Sequence, residues 1–240
     1  MTKAPPIWKS IYTSLNTDIG SGHYQPGDKL PTEAALAKRF GVNRHTVRRA
    51  LGQLAEDGIV HARRGAGVFV AMVPAEYPIG RRVRFHRNLR AAGRMPAKEI
   101  LSLETRACDA REAEALHLNK GDMVHVYDGL SLADAQPIAL FRSVFPAARL
   151  PDLPRLLDRE RSVTAALKAL GIKDYTRKST QLTAKLASAT QALHLRVRDG
   201  APILRSVGIN VDEHGHPIEY GRTWFAGDKV TLTLNEDDLS

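Results

Sequence analysis

Arg44, His45, Thr46, Arg48 and Arg49 fall within six consecutive positions, and Arg63 and Arg64 stand just before Gly65. Side chains of this kind bind polyanions. Arginine pairs bidentately with O6 and N7 of guanine, and a hydroxyl such as that of Thr46 holds a phosphate in register. Up to Val70, ten basic residues stand against five acidic ones, and the whole chain of 240 residues carries +9. That balance favours a polyanionic partner. For one arginine, a solvated helix face is an equally good account. For the ordered set it is a poor one.

The elements needed to position this set are legible nearby. Ile7, Ile11, Leu15 and Ile19 recur at helical spacing, and Gly20 and Gly22 end that helix. Residues 24–31 form a turn-rich connector, after which Thr32 opens a second helix with Ala35, Leu36 and Phe40 facing inward. Gly41 supplies a sharp turn and Asn43 caps a third helix. Val47, Ala50, Leu51 and Leu54 face the core of that helix, which leaves Arg44, His45, Arg48 and Arg49 on or near its outward side. Residues 59–62 and 68–70 read as two short strands joined by a basic, glycine-rich tip at 63–67. The pattern is helix, tight turn, recognition helix and wing, a DNA-reading head over residues 1–71.

Leu30-Pro31-Thr32-Glu33, Phe40-Gly41-Val42-Asn43-Arg44-His45-Thr46-Val47-Arg48-Arg49-Ala50-Leu51 and Leu54-Ala55-Glu56-Asp57-Gly58 resemble the winged-helix head of GntR-superfamily bacterial repressors. The resemblance implies DNA contacts from Arg44, His45, Thr46 and Arg48, with Gly65 at the wing. Ala34 is a departure, since some members carry a DNA-contacting arginine there.

Residues 72–80 contain two prolines and little periodicity and are read as a linker; residues 81–240 form a second domain. This part contains an internal echo. Ala115-Leu116-His117-Leu118 returns as Ala192-Leu193-His194-Leu195, each closing a short helix opened by Asp109 or Ser188. In each copy a turn, an apolar strand and a hairpin follow, and a second strand opens with Pro137-Ile138 or Pro217-Ile218. With a period of two, Ile138, Leu140, Arg142 and Val144 share a face, as do Ile218, Tyr220, Arg222 and Trp224. A buried arginine must meet a carboxylate, reach solvent or await an anionic ligand. Its recurrence in both copies points to an anion cavity, against the plainer reading of an Arg–Glu pair. Ser162 and Thr164 begin a helix whose free N–H groups favour phosphate-like groups, with Ser162 as a plain cap the alternative. Arg84 and His86 lie in a basic segment just after the linker.

Asn88-Leu89, Ala92-Gly93-Arg94, the Ala-Asp turn before Pro137, Ser162 and Pro217-Ile218-Glu219-Tyr220 resemble the UTRA effector-binding domain of the HutC branch of GntR regulators. The resemblance implies a chorismate-lyase-like antiparallel sheet with flanking helices, a small effector and a homodimer. The candidate effector residues are Arg84, His86, Arg142, Ser162, Thr164, Glu219, Tyr220 and Arg222. Many members hold a phosphate with two arginines where Gly129 and Ser131 stand, and sugar-phosphate sensors often have glutamate at the place of Phe141. Residues 81–85 and 223–230 resemble most the phosphonate-metabolism regulators of this branch, which implies a phosphonate, phosphate or related anion.

The expected fold class is therefore α+β. Cys108 alone builds no disulfide framework or cysteine metal site, and His214-Gly215-His216 reads as a hairpin turn sooner than a metal site. No apolar run approaches the ~20 residues of a membrane span and no signal-peptide core opens the chain, so the cytoplasm is the expected compartment. No set of catalytic carboxylates, Ser-His-Asp arrangement or phosphate-gripping loop stands out, and no cofactor is expected. A lyase-like enzyme fused to a DNA-binding head, and an architectural DNA binder without effector, are the two alternatives.

Overall fold

The computed structural model describes residues 6–63, 65–71, 74–82, 89–90, 93 and 95–234. The chain divides into two compact units, Met1–Val73 and Pro74–Ser240.

In the first unit, α1 (Ile7–Gly20), α2 (Glu33–Phe40) and α3 (Arg44–Glu56) precede a hairpin of β1 (Val60–Arg63) and β2 (Gly67–Val70). Thr32 caps α2 by accepting from the Ala35 N–H, and Asn43 caps α3 by accepting from the Thr46 N–H. Between them Gly41 takes φ +64°, a left-handed conformation that costs a glycine least. Ile11, Leu15, Leu36, Val47, Leu51 and Leu54 are buried in one core with the wing's Val60 and Val70. Each such side chain contributes about 1.5–3 kcal/mol of burial. Ile7 and Ala35, expected inward, are exposed. Ile7 sits in the first turn of α1, and Ala35, one residue before the buried Leu36, is turned about 100° around the helix from it.

The second unit is built on a six-stranded antiparallel sheet, ordered β4-β5-β6-β9-β8-β7. Its strands are β4 (Pro96–Ala107), β5 (Met123–Ala133), β6 (Gln136–Pro146), β7 (Tyr175–Leu186), β8 (Pro202–Asp212) and β9 (Pro217–Ala226). α4 (Ala110–Leu116) joins β4 to β5, and α7 (Ala189–Leu195) joins β7 to β8. α5 (Leu153–Glu160) and α6 (Val163–Ala169) bridge the two halves. The turn between β5 and β6 places Asp134 and Ala135 at φ +49° and +62°, as a two-residue hairpin of the right twist requires. β3 (Ala75–Pro78) pairs in parallel with β10 (Val230–Thr233). Thus the segment read as a linker over 72–80 includes a strand, because Ala75 and Tyr77 bury their side chains against Phe225 and Val230.

Helices cover both faces of the sheet. On one, α5 and α6 pack over Tyr127, Phe141 and Phe145. On the other, α4 packs over Val124, Val126, Val144 and Tyr220, and α7 lies with Leu140, Ile203 and Trp224. A doubly covered sheet has apolar side chains on both faces of its inner strands.

The duplication is real, but its register differs from the echo of letters. The caps Asp109 and Ser188, each in a complete capping box, are 79 positions apart (188 − 109). The repeated Ala-Leu-His-Leu strings are 77 apart (192 − 115). Structure follows the caps. Leu116 and Leu195 are the buried ends of the two helices, at 3% and 0% exposure, whereas Leu193, the partner by letters, is 77% exposed.

Candidate functional site

The first unit presents α3 with its capped N-terminus in solvent. Arg44 and His45 are exposed in the first turn. The Thr46 hydroxyl donates to the Asn43 side chain at 2.9 Å, which fixes it beside the free N–H groups of the helix start. Arg48 is held by Glu33 of α2 in a two-pronged ion pair, Nε to Oε1 at 3.0 Å and Nη2 to Oε2 at 2.7 Å. The paired guanidinium holds the Glu33 carboxyl below its ordinary range. Arg49 lies over the Trp8 ring of α1, 4.8 Å from its centroid. Of the wing residues, Arg63 ends β1, Gly65 turns the tip at φ +75°, and Arg64 lies outside the described residues.

The second unit contains a cavity of about 480 Å³, within the size range of small-ligand sites. Its floor is the sheet face under α6, and all six strands contribute: Lys98 from β4, Ser131 from β5, Ser143 from β6, Glu219 from β9, Asn210 from β8 and Arg177 from β7. A polar relay runs across this floor. The Arg177 Nε donates to Asn210 Oδ1 at 2.8 Å, and Asn210 Nδ2 donates to Glu219 Oε2 at 2.6 Å. Glu219 Oε1 accepts from the Ser143 hydroxyl at 2.6 Å. Lys98 rests on the Phe141 ring, its Nζ 3.9 Å from the centroid. Burial pushes the Lys98 ammonium down to about 8, against the opposing pull of Glu219. Arg90 and Lys168 add two further cations to the lining.

Two glycines make this arrangement possible. A Cβ on Gly208 would lie 1.8 Å from Arg177 Nη1, so the guanidinium occupies the space that any side chain there would fill. A Cβ on Gly129 would lie 2.6 Å from the Phe141 ring. The position where many family members carry a phosphate-binding arginine is therefore filled by an aromatic ring that supports Lys98 instead.

Ser162 and Thr164 line the cavity as expected, Ser162 capping α6 through the Ala165 N–H at 3.3 Å and Thr164 bonded to the Tyr175 hydroxyl at 2.8 Å. Glu219 also lines it. Arg142, Tyr220 and Arg222, read from the sequence as effector residues, are not part of its lining. They project from the opposite face, under α4. Arg142 forms two 2.7 Å bonds to Asp128, and Arg222 reaches Glu112 at 3.5 Å. Fully buried Glu112 also pairs with Arg106 at 2.7 and 2.8 Å, while Tyr220 packs with Val126 and Val144 and lies beneath Arg222. The reason is the doubly covered sheet: a period of two separates the faces but does not say which one holds the cavity. Arg84 and His86 lie outside the described residues.

Sequence reasoning missed Lys98, Arg177, Asn210, Arg90 and Lys168. The register of the duplication would have found the first three. Lys98 and Arg177 are each the third residue of an outer strand, and Ser131 and Asn210 are each their neighbour across the ladder. His214 and His216 belong to a hairpin whose N–H groups both bond Asp212 Oδ1. Among the described residues no cluster of three or more potential metal ligands occurs. Nor is any described helix long and apolar enough to cross a membrane.

Residues 8–70 match the family described as bacterial regulatory proteins, gntR family, and residues 91–231 match the UTRA domain. The chain is 35% identical over 229 residues to an HTH-type transcriptional regulator of Rhizobium meliloti, covering 95% of this chain and 94% of that protein. It is 32% identical to the probable transcriptional regulator PhnF of Escherichia coli, covering 97% and 96%. The crystal structure of PhnF from Mycobacterium smegmatis is similar with a TM-score of 0.66 at 27% identity, covering 94% of this chain and 98% of that one.

Proposed function

The chain belongs to the GntR family of bacterial regulatory proteins, with a UTRA domain behind the winged-helix head, and from this we propose that it is a repressor released from its operator by a small anion. It is a transcriptional regulator; the families and relatives that it matches are regulators and not enzymes. Repression is supported by the similarity to NagR of Bacillus subtilis, an HTH-type transcriptional repressor 25% identical over 235 residues.

A homodimer places two copies of α3 in successive major grooves of a near-palindromic site, about 34–36 Å apart. Arg44, His45 and Arg48 read base edges or phosphates there. The Glu33 pair restrains the Arg48 side chain before DNA arrives, so less rotamer freedom is lost on binding. Arg63, Arg64 and Gly65 supply a minor-groove contact from the wing, and Arg49, engaged with Trp8, supports the fold of the head.

The observation that carries the effector reading is the cavity itself. Lys98, Arg177, Arg90 and Lys168 stand there against Glu219, an electropositive space of metabolite size. The likeness to phosphonate-metabolism regulators supports a phosphonate or phosphate compound. Mass spectrometry under native conditions tests the homodimer. Calorimetric titration of the full chain with methylphosphonate, inorganic phosphate and a neutral isostere tests the cavity: the anions bind and the isostere does not. Equal binding of the neutral compound sinks the anion reading.

A further inference from the structure

The order of charges across the cavity floor says more than its net sign. Lys98 lies near the start of β4 and Arg177 near the start of β7, the two outermost strands of the sheet. The strands run antiparallel and four others lie between them, so these two cations enter from diagonally opposite corners of the floor. They occupy equivalent places in the duplicated halves, 79 positions apart (177 − 98), as do their ladder neighbours Ser131 and Asn210. Glu219, on one of the two central strands, stands between them. The floor thus reads cation, carboxylate, cation.

The carboxylate has capacity to spare. An ionised carboxylate offers about four acceptor sites. Ser143 and Asn210 take one on each oxygen, and Glu219 lines the open cavity with the remainder. Each oxygen is thus satisfied once, and the carboxylate, 9% exposed, can still accept from a donor that enters the cavity. Asn210 ties the carboxylate to Arg177, so a ligand that engages one engages the other. A single tetrahedral anion would engage only one corner of this floor and would add repulsion at Glu219.

We propose that the effector is a two-ended anion, with an acidic group at each end for Lys98 and Arg177 and a protonated amine between them for Glu219. This rests on the reading of the cavity as the effector site. It assigns Lys98 and Arg177 to opposite ends of one molecule, and it assigns Glu219 the selection of an amine over a plain hydrocarbon spacer. The departure at Gly129 fits this assignment. The Phe141 ring that fills its space supports Lys98, so one cation stands on β4 at the end of the floor away from Arg177.

The test is calorimetric titration of the full chain with four probes of graded chemistry. Propylphosphonate has one acid, 2-aminoethylphosphonate an acid and an amine, 3-phosphonopropionate two acids, and N-(phosphonomethyl)glycine two acids flanking an amine. The last binds most tightly, by about tenfold or more over propylphosphonate, since each added contact is a charge-assisted hydrogen bond. Lys98→Met keeps the stem on Phe141, and Arg177→Gln keeps a hydrogen-bonding end; each variant removes the advantage of the second acid. Unchanged thermal unfolding of each variant verifies that the fold persists. Equal affinity for one-ended and two-ended probes, or a two-ended advantage that survives Lys98→Met, overturns the proposal and leaves the anion reading standing. Binding of none of the four overturns both.

Discussion

Gly208→Ala places one methyl group where the Arg177 guanidinium lies. The added Cβ would sit 1.8 Å from Nη1, 2.7 Å from Cζ and 3.1 Å from Cδ, and ordinary contact begins near 3.4 Å. The head group must therefore retreat by about 1.6 Å (3.4 − 1.8), more than the 2.8 Å bond to Asn210 tolerates. A hydrogen bond to a charged group contributes about 1.5–3 kcal/mol, and for the half-buried Arg177 the cost to folding is nearer 1 kcal/mol. In a protein of this size that lowers Tm by roughly 2–4 °C. The cost to the ligand is larger, because Arg177 is displaced from one end of the site. Affinity for a phosphonate probe falls about tenfold or more, while operator binding stays unchanged. Differential scanning calorimetry, calorimetric titration and a DNA-binding titration on the same preparation measure all three. Wild-type probe affinity in Gly208→Ala would show that the placement of Arg177 against Gly208 has no bearing on recognition.

Arg48→Ala weakens specific operator binding about tenfold or more, and Glu33→Gln, which keeps a side chain of the same shape but removes the ionic partner, weakens it less; DNA titrations at fixed salt check the order, and an unaffected Arg48→Ala contradicts the α3 assignment. Arg222→Ala leaves effector response intact and lowers thermal stability, because it removes a partner from buried Glu112; loss of response without loss of stability would return Arg222 to the effector site. Anion binding favours protonated Lys98, so affinity is full below about pH 8, falls as pH rises through that value, and is accompanied by proton uptake near pH 8. Titrations in buffers of different ionisation enthalpy measure that uptake. Lys98→Met abolishes this limb of the pH profile, and its persistence excludes Lys98 as the titrating group.

The head was legible almost residue by residue because its determinants are local. Thr32, Gly41 and Asn43 mark helix ends within a few positions, and Leu36, Val47, Leu51 and Leu54 mark one buried face each. What stayed hidden there was the state of individual arginines: that Arg48 is paired to Glu33 and Arg49 stacked on Trp8 depends on contacts 15 and 41 positions away (48 − 33; 49 − 8). In the second unit the duplication was legible but its register was misread, since identical letters at Leu193 and Leu116 fall on opposite sides of their helices. The face of the cavity was not legible at all. β6 is buried over most of its length on both sides, so alternation gave Phe141 and Arg142 equal claim to the interior. Ser162 and Thr164 were legible from the helix start they open and Glu219 from resemblance, whereas Lys98 carries no local signal, because its place on the floor is set by strand pairing with β5.

One titration bears on the account as a whole: fluorescence anisotropy of a palindromic operator, selected from a random DNA pool, against the full chain with and without a saturating anionic probe. The probe is expected to lower operator affinity by the ~5–150-fold of ordinary allosteric coupling, while Lys98→Met and Arg177→Gln bind the operator as the natural chain does but no longer respond. A cavity saturated with anion on a protein whose operator affinity does not change would contradict it.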